Sequence, residues 1–248
     1  MQYTVVTNRC GLLQRIVALT PTPSYHTITH MLIDLHTHSV ASDDSRATVE
    51  QYVKWVGVLR RKGFNIDGFV LTEHRGFDFE VDYSSLAHEN DLKILKGAEL
   101  DTNNGHFLVY GVSEELTKCI NFANINMDAA ELVEAADARG GIAIPAHPGR
   151  FGIGFYEFIG SSGNFRKVRV IEYLNGGNRP GEQERTEELI KRYGYAGTGG
   201  SDAHLVSAIG TCMTQFDSDV FNEQDLVREL KDGHFRAIRL ADSRVAHD

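Results

Sequence analysis

Residues 31–43 read MLIDLHTHSVASD. Met31, Leu32, Ile33 and Leu35 make the first half apolar, so 31–36 is expected to be a strand, while Asp34, His36 and His38 fall at every second position. Residues two apart on an extended chain project from one face. One carboxylate and two imidazoles therefore stand together where the strand ends. Two imidazoles on one face can grip a single cation, and Asp34 is placed to orient one of the rings. A lone His-x-His is more often a surface or core pair, so its meaning depends on what the rest of the chain supplies.

Working outward, strand-like and helix-like runs alternate. Thr48 with Gln51 three residues on forms a capping box ahead of the apolar stripe Val53, Val56, Leu59, and Gly63 closes that helix. Strands are expected over 66–72, near 94–99 and near 106–111. Asp128 with Glu131 opens a second capped helix through Leu132, Val133 and Ala136, ended by Gly140-Gly141. Strands at 142–147 and 168–174, a charged helix over 182–192 ended by Gly194, a short strand into TGGSD, a helix near 223–231 and a strand near 235–239 complete the chain. This rhythm favours one α/β domain over 31–248, a mostly parallel sheet with helices outside. The Gly-rich stretch from Gly149 to Gly163 is a long connection, of the kind that serves as a lid.

Histidines and acids recur at the same structural position. His74 ends IDGFVLTEH (66–74), Glu99 ends KILKGAE (93–99), His106 opens the next apolar run, and His147 ends IAIPAH (142–147). Asp202 and His204 repeat the spacing of two in GSDAH (200–204). Active sites of α/β barrels lie at the carboxyl ends of the strands. A solvated face would scatter these groups over the helices instead, so a multi-metal centre is the better account.

Composition narrows the chemistry. The chain has 248 residues, 34 Asp+Glu against 25 Lys+Arg, a formal net charge of −9 and eleven His. Long nucleic acid and anionic membrane are poor partners for such an acidic chain. Cys10, Cys119 and Cys212 are odd in number and lack any CxxC spacing, so a disulfide framework or thiolate zinc knuckle is not expected, and a reducing cytoplasm is the natural compartment. Any metal must be held by imidazole and carboxylate. No apolar run reaches the roughly 18–20 residues of a membrane span, and Gln14 and Arg15 interrupt the nearest candidate for a signal peptide. Residues 1–30 read as an extension of unassigned role, and Met31 is a candidate functional start. Neither the glycines after His147 nor Gly197–Gly200 match a dinucleotide or P-loop fingerprint.

Taken in order, DLHTHSVASD (34–43), TEH (72–74), GAE (97–99), AHP (146–148), IEYLN (171–175) and GSDAH (200–204) resemble the motifs of the PHP family, the polymerase-and-histidinol-phosphatase domain. The resemblance runs from about Met31 to the C-terminal region. It implies a distorted seven-stranded (β/α)7 TIM-like barrel with three divalent metals in a cleft at the strand ends. One ion would be held by His36, His38, Glu99 and Asp202, a second by Glu99 with His106 and His147, and a third by Asp43, His74 and His204. Glu73, where the family usually has Asp, and Asn175 would support the ligands alongside Asp34. Asp44 replaces a common glycine.

Imidazole and carboxylate suit Mn, Zn or Fe alike. Three dications among six neutral histidines and three carboxylates leave a formal +3, which attracts phosphate. The expected reaction is hydrolysis of a small phosphate ester, a phosphorylated metabolite or nucleotide, by a metal-activated water held by Glu99, Asp202 and His204. Arg75, Arg150 and Arg179 are candidates for binding the phosphate. Substrates in keeping with the resemblance are histidinol phosphate, nucleoside bisphosphates and the 3′ ends of short oligonucleotides. The alternatives are phosphotyrosine or amide hydrolysis on the same site, and a metal-stabilised accessory module without turnover.

Overall fold

Thr48 caps the first long helix in the way its sequence requires. In a computed structural model describing residues 6–7, 13–14, 30–159, 165 and 167–244, the Thr48 hydroxyl accepts from the Gln51 amide, and the Gln51 side chain accepts from the Thr48 amide at 2.9 Å. The helix, α1 (Val49–Arg61), buries Val49, Tyr52, Val53, Val56 and Leu59 on one stripe. That stripe packs on Leu32, Phe69 and Leu71 of two neighbouring strands, β3 (Met31–Thr37) and β4 (Gly68–His74). Alternation then sends Ile33, Leu35 and Val70 to the other side of the sheet, into a second apolar cluster with Leu95, Leu108, Ile144 and Phe216. Sandwiched between the two clusters, β3 is buried along nearly its whole length.

Ahead of β3, two short strands, β1 (Val6–Thr7) and β2 (Leu13–Gln14), pair antiparallel; the rest of the N-terminal extension before His30, with Cys10, lies outside the described residues. After β4 come α2 (Ser84–Glu89), β5 (Lys93–Thr102), β6 (Gly105–Tyr110), α3 (Glu114–Cys119), α4 (Ala129–Ala138), β7 (Ile142–Pro145), β8 (Val170–Asn175), α5 (Glu182–Tyr193), β9 (Ala196–Gly200), β10 (Cys212–Phe216), α6 (Glu223–Asp232) and β11 (Phe235–Arg239). The expected helices at 128–139, 182–192 and 223–231 are present, with Asp128 and Asn222 capping through their side chains and Gly194 and Gly233 closing in the left-handed conformation.

The expectation of a mostly parallel sheet is corrected. Seven strands lie in the order β11-β10-β3-β4-β5-β6-β7, and only β3–β4 and β4–β5 run parallel. β10–β11, β10–β3, β5–β6 and β6–β7 are antiparallel. The reason for β5–β6 is chain length: two residues join the strands, whereas a parallel crossover needs about a dozen. β10 itself has no counterpart among the strands expected from the sequence. The closed barrel that the resemblance implies does not form as one ladder. The sheet is a curled half-barrel, and β8 and β9 form a separate parallel pair.

That pair is nevertheless tied to β3 at one edge. His38 donates to the Ala203 carbonyl at 2.9 Å and Asp202 to the His36 carbonyl at 2.8 Å, and the Tyr52 hydroxyl reaches the carbonyls of both His38 and Ala203 at 2.8 Å. Gly200 permits the approach, since a Cβ there would collide with the His36 side chain and the Glu172 carboxylate. No helix among the described residues is long and apolar enough to cross a membrane.

Candidate metal centre

All the strand-end groups meet at one edge of the fold. His36 lies within β3 and His38 just beyond it, His74 ends β4, and Glu99 pairs with His74 across the β4–β5 ladder. His106 is at the start of β6, which runs antiparallel to β5, so its beginning lies beside the far end of β5. His147, Asp202 and His204 follow β7 and β9. His36, His38, Glu99 and His147 are buried; His74, His106, Asp202 and His204 are half-buried.

Three groups of potential ligands result: His36, His38, Glu99 and Asp202; Glu99, His106 and His147; and His38, His74 and His204. In the first, the two Nε2 atoms are 3.0 Å apart, each 3.2 Å from Glu99 Oε2, and 3.5 and 3.6 Å from Asp202 Oδ1. A tetrahedral ion with bonds of about 2.0–2.1 Å holds its ligand atoms about 3.3 Å apart. The spacing and the donor set both fit a divalent cation. Glu99 joins the groups: its Oε1 lies 3.1 Å from His106 and 2.8 Å from His147, its Oε2 3.3 Å from His74 Nδ1.

The electrostatics favour charged carboxylates. Burial alone would raise Glu99 and Asp202, but His36 overrides it, aided by hydrogen bonds from His106 and His147 to Glu99 and from His38 to Asp202, and both are held well below the usual carboxylate range. The His147 Nδ1 is buried without a hydrogen-bond partner, a polar atom whose lone pair or proton suits an ion or water.

The partners of these ligands only partly follow the sequence reading. Asp34, expected to orient a ring, instead accepts from the backbone amides of His36, Ser201 and Gly210; it is a strut between β3 and the segments after β9. The ring of His36 is oriented by Glu172, whose Oε1 lies 3.0 Å from its Nδ1 and whose Oε2 accepts from the His147 amide at 2.6 Å. Asp101 does the same for His106, at 3.0 Å from Nε2. Sequence reading missed both roles, although Glu172 sits inside the IEYLN motif and Asp101 faces His106 across a two-residue hairpin link. Glu73 acts through Ser42: it accepts from Ser39 and Ser42, and Ser42 accepts from the His74 amide at 3.0 Å. Asn175 donates to Glu172 and lies 3.4 Å from Asp202.

Asp43 does not join the third group. Its side chain is 78% exposed and lies 3.4 Å from Arg75. The turn closed by Ser42 donating to Ser39 swings Asp43 outward and brings in Asp44, whose Oδ2 sits 3.3 Å from His74 Nε2 and 3.2 Å from His204 Nε2. Asp44→Asn is expected to weaken metal binding at that group by at least about tenfold, with Asp43→Asn close to the parent chain; metal titration of the two variants checks the order.

The arginines separate as well. Arg150 donates to Asp202 at 2.6 Å and to Asn175 at 3.2 Å. Arg75 pairs with Asp43 and Asp101, and Arg179 is exposed. The part of the Gly149–Gly163 connection that is described is fastened down: Arg185 stacks on Phe151 and Tyr156 and pairs with Glu157 at 2.7 Å. Residues 160–164, where the rest of the expected lid falls, lie outside the described residues.

Backbone strain concentrates here. Arg75, His147 and Asp202 have φ of 56°, 27° and 54°, a region that costs a non-glycine residue about 1–3 kcal/mol. The bonds from His147 to Glu172 and from Asp202 to His36 hold two of them in place.

Residues 180–235 match the model of the PHP-associated family. Among solved structures, PsfC from Pseudomonas syringae superposes with a TM-score of 0.63 at 21% identity, over 87% of this chain and 93% of that one. A candidate metal-dependent phosphoesterase from Bifidobacterium adolescentis gives 0.50 at 14%, over 81% and 96%. The lesion-specific endonuclease PfuEndoQ from Pyrococcus furiosus gives 0.57 at 14%, over 84% of this chain and 58% of its own. At these identities the likenesses bear on the fold. The family match covers α5, β9, β10 and α6 and ends at the first residue of β11.

Proposed function

We propose that the chain is a metal-dependent hydrolase of small phosphate esters, working with up to three divalent ions of the Mn, Zn or Fe class. The observation that supports this best is one buried carboxylate, Glu99, which belongs to two of the three convergent ligand groups and lies 3.3 Å from His74 of the third. Divalent ions held there supply Lewis acidity, polarising phosphoryl oxygens and acidifying water.

The residues supply the rest. Glu172 and Asp101 fix the rings of His36 and His106 so that their other nitrogens face Glu99. Asp202 and Glu99 remain anionic at neutral pH, as ligands must. Arg150, partly exposed, holds Asp202 from the loop after β7, where a phosphate oxygen would compete for the same donor. With no thiol or serine elbow among these groups, direct attack by water is the fitting chemistry. The same fold in an endonuclease keeps a phosphodiester in a nucleic acid strand within the range of substrates, and the chain's net charge of −9 favours short ones.

The test is elemental analysis of the purified protein, followed by a panel of phosphomonoesters, nucleotides, short oligonucleotides and amides with added Mn or Zn. Metal-dependent phosphate release is expected, and His204→Ala should lower it by about 10²-fold or more while the circular dichroism spectrum is kept. Absence of bound metal, or of turnover on every ester, would reject the reading.

A further inference from the structure

Next to the third ligand group, the loop after β4 lines an open cavity of about 590 Å³, within the range that holds a small organic ligand. His74 is common to both: its ring faces Glu99 and Asp44 at 3.3 Å on either side, and it lines the cavity wall. The remaining wall is largely apolar, from Leu71, Phe77, Phe79, Val81 and Tyr83. Phe77 and Phe79 meet edge to face with centroids 4.7 Å apart, and Phe79 is 42% exposed.

The charges around this cavity discriminate. Lys96 lies 5.2 Å over the Phe77 ring and donates to the carbonyls of Asp78 and Val81 at 2.8 and 2.7 Å. Its ammonium thus holds the loop closed on itself. The other charged lining groups besides His74 are Glu73, Asp78 and Glu80. A second phosphate or a run of nucleic acid backbone would meet three acids there and one already engaged lysine. An uncharged aromatic ring would meet aromatic edges and faces.

Building on the phosphate-ester reading, we infer that this cavity receives an uncharged aromatic group carried by the alcohol part of the substrate, with the phosphate directed to the ligand groups at His74. Ring and phosphate then lie on opposite sides of one imidazole, which calls for a short link between them. Both a nucleobase of a mononucleotide and a simple aryl group have the required chemistry.

The experiment compares binding of benzylphosphonate and methylphosphonate to the Mn-loaded protein by calorimetry, a readout independent of turnover. Benzylphosphonate is expected to bind about tenfold more tightly or better. Phe79→Ala should erase most of that ratio. Gly76→Leu should do so by filling the cavity, since a Cβ at Gly76 has nothing closer than the His74 carbonyl at 3.7 Å. Adenosine monophosphate and phenyl phosphate in the same titration distinguish nucleobase from aryl. Equal affinity for the two phosphonates, or a ratio that survives both substitutions, overturns the inference. If the ratio holds but no ester is hydrolysed, the hydrolase reading falls and the aromatic cavity stands. If esters are hydrolysed without the ratio, only the cavity's role falls.

Discussion

Glu99→Gln is expected to lose more bound metal than any other single substitution in the cluster, and to lower metal-dependent hydrolysis by at least about 10²–10³-fold. The change is nearly isosteric, so the argument is electronic. Oε1 serves His106 and His147, and Oε2 serves His36, His38 and His74. An amide keeps one acceptor and turns the other into a donor, which can neither hold a cation nor accept from an imidazole. It also removes the negative charge that offsets protonated rings in a site where Glu99 is 2% exposed. Breaking a buried pair by removing one partner costs about 3–5 kcal/mol, so the metal-free variant should melt earlier as well. Elemental analysis, phosphate release and a thermal melt make up the check. Parent-like metal content would refute the shared-carboxylate account.

How much of this was legible before the fold was known depends on how local each signal is. The Thr48–Gln51 box is a contact over three residues and stands as read. His74 ends its strand as read, while Glu99 does not, because β5 runs on to Thr102. Strand direction is not local. Antiparallel β6–β7 is reached through two helices, and nothing in the periodicity of IAIP announces it. β10 is buried on both faces and therefore lacks the alternation that marks a strand. The β5–β6 hairpin was legible in principle, since too few residues separate the two runs for a parallel crossover.

The same distinction runs through the site. His106 belongs with Glu99 only if β6 turns back on β5, and the antiparallel ladder is what puts it there. Glu172 reaches His36 across 136 residues of chain, a contact that no spacing rule encodes. Asp43 and Asp44 differ by one step in a turn, and which of them faces His74 depends on the turn closed at Ser39–Ser42. Residue type and spacing thus point to metal-ligand chemistry, while topology decides which acid partners which imidazole.

Metal loading should be visible as stability, and more so at higher pH. An ion at about a hundred times its dissociation constant adds about 2.7 kcal/mol, and a chain of this size gains roughly 2–4 °C per kcal/mol. One well-filled site is therefore worth roughly 5–10 °C. The direction with pH follows from the imidazoles. Burial would lower His36, but Glu172, Asp202 and Glu99 raise it well above its ordinary value. His38 and His106 are likewise raised against burial, through Asp202 and Glu99 for the first and Glu99 for the second. In the metal-free protein, the stability these rings contribute is fully present below about 6.5 and fades as pH rises through their raised values. The lowered carboxylates Glu99 and Asp202 contribute in the opposite sense, present above the ordinary carboxylate range and lost only as pH falls through their depressed values. Between pH 6 and 8 they stay charged throughout. An ion needs neutral rings and must displace protons from His36, His38 and His106, whereas burial already favours the neutral form of His74. The rise in Tm on adding Mn or Zn to chelator-treated protein should therefore be larger at pH 8 than at pH 6, with protons released on binding. Melts at both pH values, and calorimetry in buffers of different ionisation enthalpy, measure the two effects. No rise in Tm, or a larger one at pH 6, would contradict a centre in which metal and protons compete for the same nitrogens.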